Sequence, residues 1–316
     1  MSAVSDRVGG PASAVASGRR SRSRVRLLRG LSHWLFILPA VAFVAVFSGY
    51  PILKNVTMSF QDYTTATFFT GAAPWVGLHN YVAVTTSRLF STTIINTALF
   101  TVGSIALQFS AGLALALFFR RHFPLSGLLR GLLLLPWLLP LIASSAVWKW
   151  ILDQDSGVLN QFLGLFGAPA IPWLVSPNLA LIAVIGVNVW LGIPFNTTIL
   201  YSGLQGVPGE LYEAAALDGA SGIRVFRYIT WPSIRGVVSV VLVLGVVYTL
   251  KVVDIILGLT NGGPANSTQT LATNAYQQSF VNFQFGLGAA VSDILIAVSL
   301  LFALVYLTIS RKQVDS

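Results

Sequence analysis

The fold turns on the stretch Gln205-Gly-Val-Pro-Gly-Glu-Leu-Tyr-Glu-Ala-Ala-Ala-Leu-Asp-Gly-Ala-Ser-Gly-Ile-Arg-Val-Phe-Arg-Tyr-Ile-Thr-Trp-Pro232. Pro208 suits the first turn of a helix, where a missing N–H is no loss. Glu210 and Glu213 then place negative charge near the positive end of that helix. Leu211, Tyr212, Ala215 and Ala216 give it an apolar face. Asp218-Gly219 is expected to stop it, because glycine takes the left-handed conformation a helix terminus needs. A second short amphipathic piece, Ile223 to Ile229, is expected to end before Pro232. The result is a compact helix–turn–helix with a knob-like end, a shape suited to insertion into a groove on a partner.

On either side of this segment the chain turns strongly apolar. Of 316 residues, 55% are hydrophobic and only 9% charged, and the mean hydropathy is +0.76. A soluble domain carries about 25% charged residues, so this chain lacks the polar surface to enclose a core in water. That excludes an ordinary soluble enzyme. The 19 Lys and Arg are too dispersed for a nucleic-acid reader despite the net charge of +9. Absence of cysteine excludes a disulfide scaffold, a thiolate metal site and a cysteine nucleophile. About 20 apolar residues are needed to cross ~30 Å of hydrocarbon as a helix. Six stretches qualify: Trp34–Ile52, Thr92–Phe119, Leu128–Trp150, Leu179–Leu204, Ile234–Leu257 and Leu287–Ile309. Pro136 and Pro140 predict a kink or a break in the third. The fold class is therefore all-α, a polytopic membrane protein with six transmembrane helices.

Basic residues set the orientation. Arg7, Arg19, Arg20, Arg22, Arg24, Arg26 and Arg29 precede the first span, and Arg120, Arg121 and Arg130 lie between the second and third. Arg224, Arg227 and Arg235 lie between the fourth and fifth, and Arg311 and Lys312 follow the sixth. The intervening loops hold only Lys54 and Arg88. The positive-inside rule then puts both termini and the 205–232 loop in the cytoplasm. Residues 1–30 are Ser/Ala/Gly/Arg-rich without hydrophobic periodicity and read as a disordered basic segment that can touch anionic lipid. A cleaved signal peptide is the competing reading, but bulky Tyr50, Pro51 and Ile52 follow the first apolar stretch where small residues would be needed. Residues 31–91 comprise the first span and an outer loop, 92–310 a five-span core, and 311–316 a cytoplasmic tail.

Catalytic signatures are missing. No phosphate-binding glycine loop and no H-E-x-x-H occurs. His33, His79 and His122 are scattered, and Asp153 and Asp155 read as a solvated turn. No metal site and no catalytic residue is expected, so any work against a gradient must draw on a partner or an ion. An ion-coupled transporter would need acids within spans, for which Asp254 and Asp293 qualify. Lys251 and Asp254, three residues apart on one helical face, read as a structural pair near the outer end of span five. No inverted repeat and no repeated filter-like loop supports a secondary transporter or a channel.

Glu213-Ala-Ala-x-x-Asp218-Gly219-Ala220, followed after eight residues by Ile229-x-x-Pro232, resembles the EAA loop of ABC importer permeases. A lone interfacial helix does not account for that joint spacing; Trp231 departs from the leucine usual in the family. Asn188-Val-Trp-Leu-Gly-Ile-Pro-Phe195, Thr260-Asn-Gly-Gly-Pro264 and Pro136-Trp-x-x-Pro140 are similar to segments of the maltose-transporter-type sugar permeases, and the resemblance runs from about Thr92 to Ile309. It is to the six-span form, without the additional N-terminal spans and large periplasmic insertion of the maltose permease itself.

The resemblance implies a type I ABC importer permease fold in a bacterial or archaeal inner membrane. Its partners would be a second permease subunit forming a heterodimer, an ATPase subunit dimer and an extracytoplasmic solute-binding protein. No cofactor is implied for this chain, since ATP would be bound by the ATPase subunits. Coupling would fall to Glu213, Ala214, Ala215, Asp218, Gly219 and Ala220. Sugar contacts would fall to Trp137, Leu141, Asn188, Leu191, Gly192, Gly245, Thr249 and Val252 on spans three, four and five. Asn188, Leu191 and Gly192 match the family residues, Trp137 keeps an aromatic and Thr249 keeps polarity, while Leu141, Gly245 and Val252 have lost polar groups. The expected site is thus carbohydrate-type, centred on Trp137, Asn188, Leu191, Gly192 and Thr249, for a sugar other than maltose. An interhelical hydrogen bond is the alternative role for Asn188. No Lys or Arg falls on these positions, which weighs against glycerol phosphate or another anionic solute.

Overall fold

Apolar helical stretches dominate the computed structural model, which describes residues 37–121 and 123–314. The expectations for residues 1–36, including His33, and for His122 lie outside the described residues. Among the described residues the elements are helices joined by turns and loops, with two isolated β-bridges, Gln61 with Trp75 and Thr64 with Gln284, and no strand. It divides into two compact units at Asn55/Val56. The described part of the first unit, residues 37–55, belongs to helix α1, Ile37–Ser59.

The second unit is built on long apolar helices: α4 (Arg88–Phe119), α8 (Pro177–Gln205), α10 (Ile223–Leu250) and α13 (Phe285–Val314). Shorter ones precede or join them: α2 (Thr65–Thr70), α3 (His79–Thr85), α7 (Val158–Gly164), α9 (Gly209–Leu217), α11 (Asp254–Leu259) and α12 (Leu271–Tyr276). The expected break in span three is present. Helices α5 (Ser126–Leu138) and α6 (Leu141–Ile151) meet at 97°. A residue before proline is pushed out of the α region, and Leu139 before Pro140 is extended, with ψ 140°.

The most extensive pairing is α4 with α8. Thr93, Thr97, Thr101, Ser104, Gln108, Gly112 and Ala116, three or four residues apart, form one buried stripe along α4. Small and polar residues on such a stripe let helix backbones approach closely where lipid offers no hydrophobic drive. At the crossing, a Cβ on Gly112 would lie 2.6 Å from the Asn196 Cβ. Ala116 of α4, Leu200 and Leu204 of α8, and Ile234, Val238 and Val241 of α10 form an apolar core at the α9 end. At the opposite end Phe100, Val184, Val187 and Leu191 pack with Ile255, Ile256 and Leu259 of α11.

Three expected boundaries are corrected. The piece after Gly222 does not end before Pro232: α10 continues through it. The turn Phe226–Thr230 is a π-helix, and its wider winding accommodates a proline that has no N–H to give. The same device, a π turn over Ala45–Gly49, carries α1 past Pro51 to Ser59, beyond the expected end at Ile52, so Lys54 lies on a helix. Span five, in turn, ends at Leu250 instead of Leu257. The chain turns through Lys251–Val253 so that α11 can pack on α6, where a Cβ on Gly258 would meet the Ser145 Oγ at 2.2 Å. Lys251 and Asp254 are therefore not on one helical face.

The loop after α11 buries its polar residues Thr268, Gln269 and Thr270. Asn96 Nδ2 of α4 donates to the Asn266 carbonyl at 3.1 Å and the Gln269 carbonyl at 3.0 Å, and Thr97 Oγ1 accepts from the Leu271 N–H at 2.9 Å. Thr268 Oγ1 donates to the Gly263 carbonyl at 2.9 Å. Buried backbone outside a helix requires such internal partners.

Candidate functional site

A cavity of about 540 Å³ opens between α5, α6, α8, α10 and α11. Trp137 sits beside the proline break, Asn188, Leu191 and Gly192 come from mid-α8, and Thr249 from the last turn of α10. All five line this one cavity, and so do Leu141, Gly245 and Val252. Trp137, Phe195 and Tyr248 form an aromatic arc, with ring centroids 6.0 Å apart at each step. The amides of Asn188 and Gln108 line the same cavity. Asn188 is 5% exposed, and its Nδ2 has no hydrogen-bond partner among the described residues. The buried Gln108 reaches in from α4 and donates from Nε2 to the Asn188 carbonyl at 2.9 Å. Gly192 is what makes room for it, since a Cβ there would lie 2.3 Å from the Gln108 Cδ. Pro194 interrupts the ladder just beyond, and Asn196 Nδ2, Thr197 Oγ1 and Thr198 Oγ1 donate to carbonyls around that turn.

Gln108, Phe195, Tyr248, Lys251 and Asp254 line the cavity without having been anticipated. The Lys251 ammonium stands 4.8 Å from the Tyr248 ring centroid, a cation–π placement. It does not pair with Asp254, which opens α11. The cavity thus holds one cation and one carboxylate, although no basic residue falls on the positions matched from sequence.

The second candidate region is α9 and its turn. Glu213, Ala214, Asp218 and Gly219 are exposed, Ala220 is half-buried and Ala215 is buried against the body. Only Tyr212 and Ala215 of the expected apolar face point inward; Leu211 and Ala216 are exposed, and Leu217 is 90% exposed. Gly219 has φ +70°, its N–H bonds to the Ala216 carbonyl at 3.1 Å and the Ala220 N–H to the Ala215 carbonyl at 2.8 Å. That pair of bonds is the Schellman closure that glycine favours.

Asp153 and Asp293 have local roles. Asp153 accepts from the Ser156 N–H and Oγ at 2.8 Å, and these bonds hold its carboxyl below the usual carboxylate range. Asp293 accepts from the Tyr81 hydroxyl at 2.9 Å; burial pushes that hydroxyl's pKa up, so it stays protonated as a donor. Among the described residues no three His, Cys, Asp or Glu side chains converge as metal ligands would.

Residues 108–314 match the family described as the binding-protein-dependent transport system inner membrane component. The chain belongs to that family. This permease is 35% identical over 283 residues to the trehalose/maltose transport system permease protein MalF of Thermococcus litoralis, covering 89% of this chain and 94% of the relative. It is 33% identical over 279 residues to the sulfoquinovosyl glycerol transport system permease protein of Agrobacterium fabrum, covering 88% and 90%. It is 31% identical over 303 residues to the diacetylchitobiose uptake system permease protein of Streptomyces coelicolor, covering 94% and 91%. Its fold matches a chain of a bacterial ABC transporter involved in the import of the acidic polysaccharide alginate, with a TM-score of 0.80, 21% identity and coverage of 92% and 99%. In the permease, the signal that could have found Gln108 is its spacing: it continues the polar series Thr93, Thr97, Thr101 and Ser104 in steps of three or four along one span. Lys251 and Asp254 were visible but were placed on a helix that ends between them.

Proposed function

We propose that this chain is the membrane-spanning permease subunit of an ATP-driven, binding-protein-dependent importer of a sugar or oligosaccharide. The observation that carries the reading is the cavity, lined by an aromatic arc and by a buried amide whose donor is unused. Sugars are recognised by aromatic faces and by amides that meet their hydroxyls. The names of the relatives support the same class. ATP would be hydrolysed by a separate subunit pair gripping the α9 loop through Glu213 and its neighbours. A second permease would complete the pathway, and an extracytoplasmic receptor would deliver the solute. The distribution of arginines supports cytoplasmic termini and a cytoplasmic α9.

The test is Asn188→Ala in the assembled transporter. Uptake of the cognate saccharide is expected to fall at least tenfold, with both permeases and the ATPase still copurifying. Unchanged uptake across a panel of neutral and acidic saccharides would sink the assignment. Lys251 favours one refinement: an ammonium on the cavity wall suits a saccharide that carries an acidic group. If so, Lys251→Met selectively abolishes uptake of acidic members of that panel; equal loss of neutral and acidic members would exclude the refinement.

A further inference from the structure

The side chain fastening α9 to the body is Tyr212, and it is held twice. The Arg120 guanidinium, at the terminus of α4, stacks 3.7 Å from the centroid of its ring. Its hydroxyl lies 3.2 Å from the Oγ1 of Thr230, a residue 2% exposed in the π turn of α10. The neighbour of Tyr212 in sequence is Glu213, which projects into solvent. One face of a single short helix is therefore clamped to two long helices while its other face is free.

Arg120 is not simply on the surface near α9. It is the residue that ends α4, a continuous helix of 32 residues. Twelve positions back on that rod is Gln108, whose amide bonds to Asn188 in the cavity wall. At 1.5 Å per residue, those twelve positions span about 18 Å. Between them α4 is locked to α8 at Gly112, where even a methyl group would collide. A helix so packed moves as a unit, and it has the clamp at one end and the cavity contact along its length. A stacked guanidinium keeps its grip while the ring slides or tilts, because the attraction is spread over the ring face and does not rest on one hydrogen-bond direction.

We propose that Arg120 is a positioning residue for transport: seated on Tyr212, it makes displacement of α9 displacement of α4, and so carries the ATPase stroke to Gln108 and the solute cavity. This rests on the permease reading above.

The experiment uses the complete transporter in proteoliposomes, with wild type, Arg120→Ala, Arg120→Met, Arg120→Lys and Tyr212→Phe. Solute uptake and receptor-stimulated ATP hydrolysis are measured together, giving solute moved per ATP. The ratio is expected to fall about fivefold or more in Arg120→Ala and Arg120→Met while the ATPase subunit stays bound. Arg120→Lys restores most of it, since an ammonium also binds a ring face. Tyr212→Phe, which keeps the ring and drops the hydroxyl, stays near wild type. A wild-type ratio in Arg120→Ala and Arg120→Met overturns the proposal. So does a Lys variant as impaired as Ala, or loss of the ATPase subunit in all three Arg120 variants, which marks a docking role. Failure of wild type itself to couple saccharide uptake to ATP hydrolysis would instead overturn the permease reading and is distinguishable from all of these.

Discussion

Three glycines show how differently the same residue is used. Gly112 faces the Asn196 Cβ and the Thr197 backbone N at 2.6 and 3.1 Å from its notional Cβ, so alanine there must push α4 and α8 apart. Overpacking of this kind costs about 1–3 kcal/mol, and Gly112→Ala is expected to melt several degrees below wild type in detergent. Gly219 has nothing within 4 Å of its notional Cβ, and only its φ of +70° resists substitution. Gly219→Ala should therefore lose about 1–2 kcal/mol, confined to the α9 turn, and should leave the melting temperature of the packed helices above that of Gly112→Ala. Equal shifts for the two would show that the close crossing is not at Gly112. Gly192 is a third case, because its obstacle is the movable end of Gln108. Alanine there displaces that amide from the cavity and leaves the helices in place. Charge, not packing, is at stake at Glu213: Glu213→Lys is expected to insert normally but to lose the copurifying ATPase subunit, as read on an affinity column.

Among the elements, α4 does most to organise the second unit. Asn96→Leu would strip partners from two buried carbonyls, those of Asn266 and Gln269. An unsatisfied buried polar group costs about 1–3 kcal/mol, so the 260–270 loop should exchange amide hydrogens much faster in that variant, with α10 unaffected. If the loop keeps its protection, Asn96 is not its anchor. The long helices were legible in the sequence because a bilayer demands uninterrupted apolar runs, and Pro140 announced its break. The ends were less so. Pro232 reads as a stop and the first span is expected to end at Ile52, but a π turn before Pro232 and another before Pro51 let each helix continue, and nothing in local composition marks such a turn. The stop at Leu250 is set by α11 packing on α6, a tertiary event. The same limit explains the cavity. Trp137, Asn188, Leu191, Gly192 and Thr249 could be placed from motifs, whereas Gln108, Phe195 and Tyr248 join them only once the helices are packed. Lys251 and Asp254 could not be placed on it before the end of α10 was known.

For the molecule as a whole, the orientation is open to direct measurement, since the chain has no cysteine of its own. Ala72 and Ala265 are exposed on loops at the end opposite α9, and Ser221 is exposed beside it. In whole cells a membrane-impermeant thiol reagent is expected to label Ala72→Cys and Ala265→Cys but not Ser221→Cys; the reverse pattern would invert the topology and with it the importer. Helix α10 carries Thr230, in contact with Tyr212, near its start and Gly245 and Thr249, on the cavity, near its end. Each residue of an α-helix advances the azimuth by about 100°, and the π turn at Phe226–Thr230 holds one residue more than an α turn would. That surplus residue fixes the phase between the two ends. Removing it, by deleting Ile229, would leave both ends folded yet out of step, like a key whose teeth are intact but whose bow has been turned on the shaft.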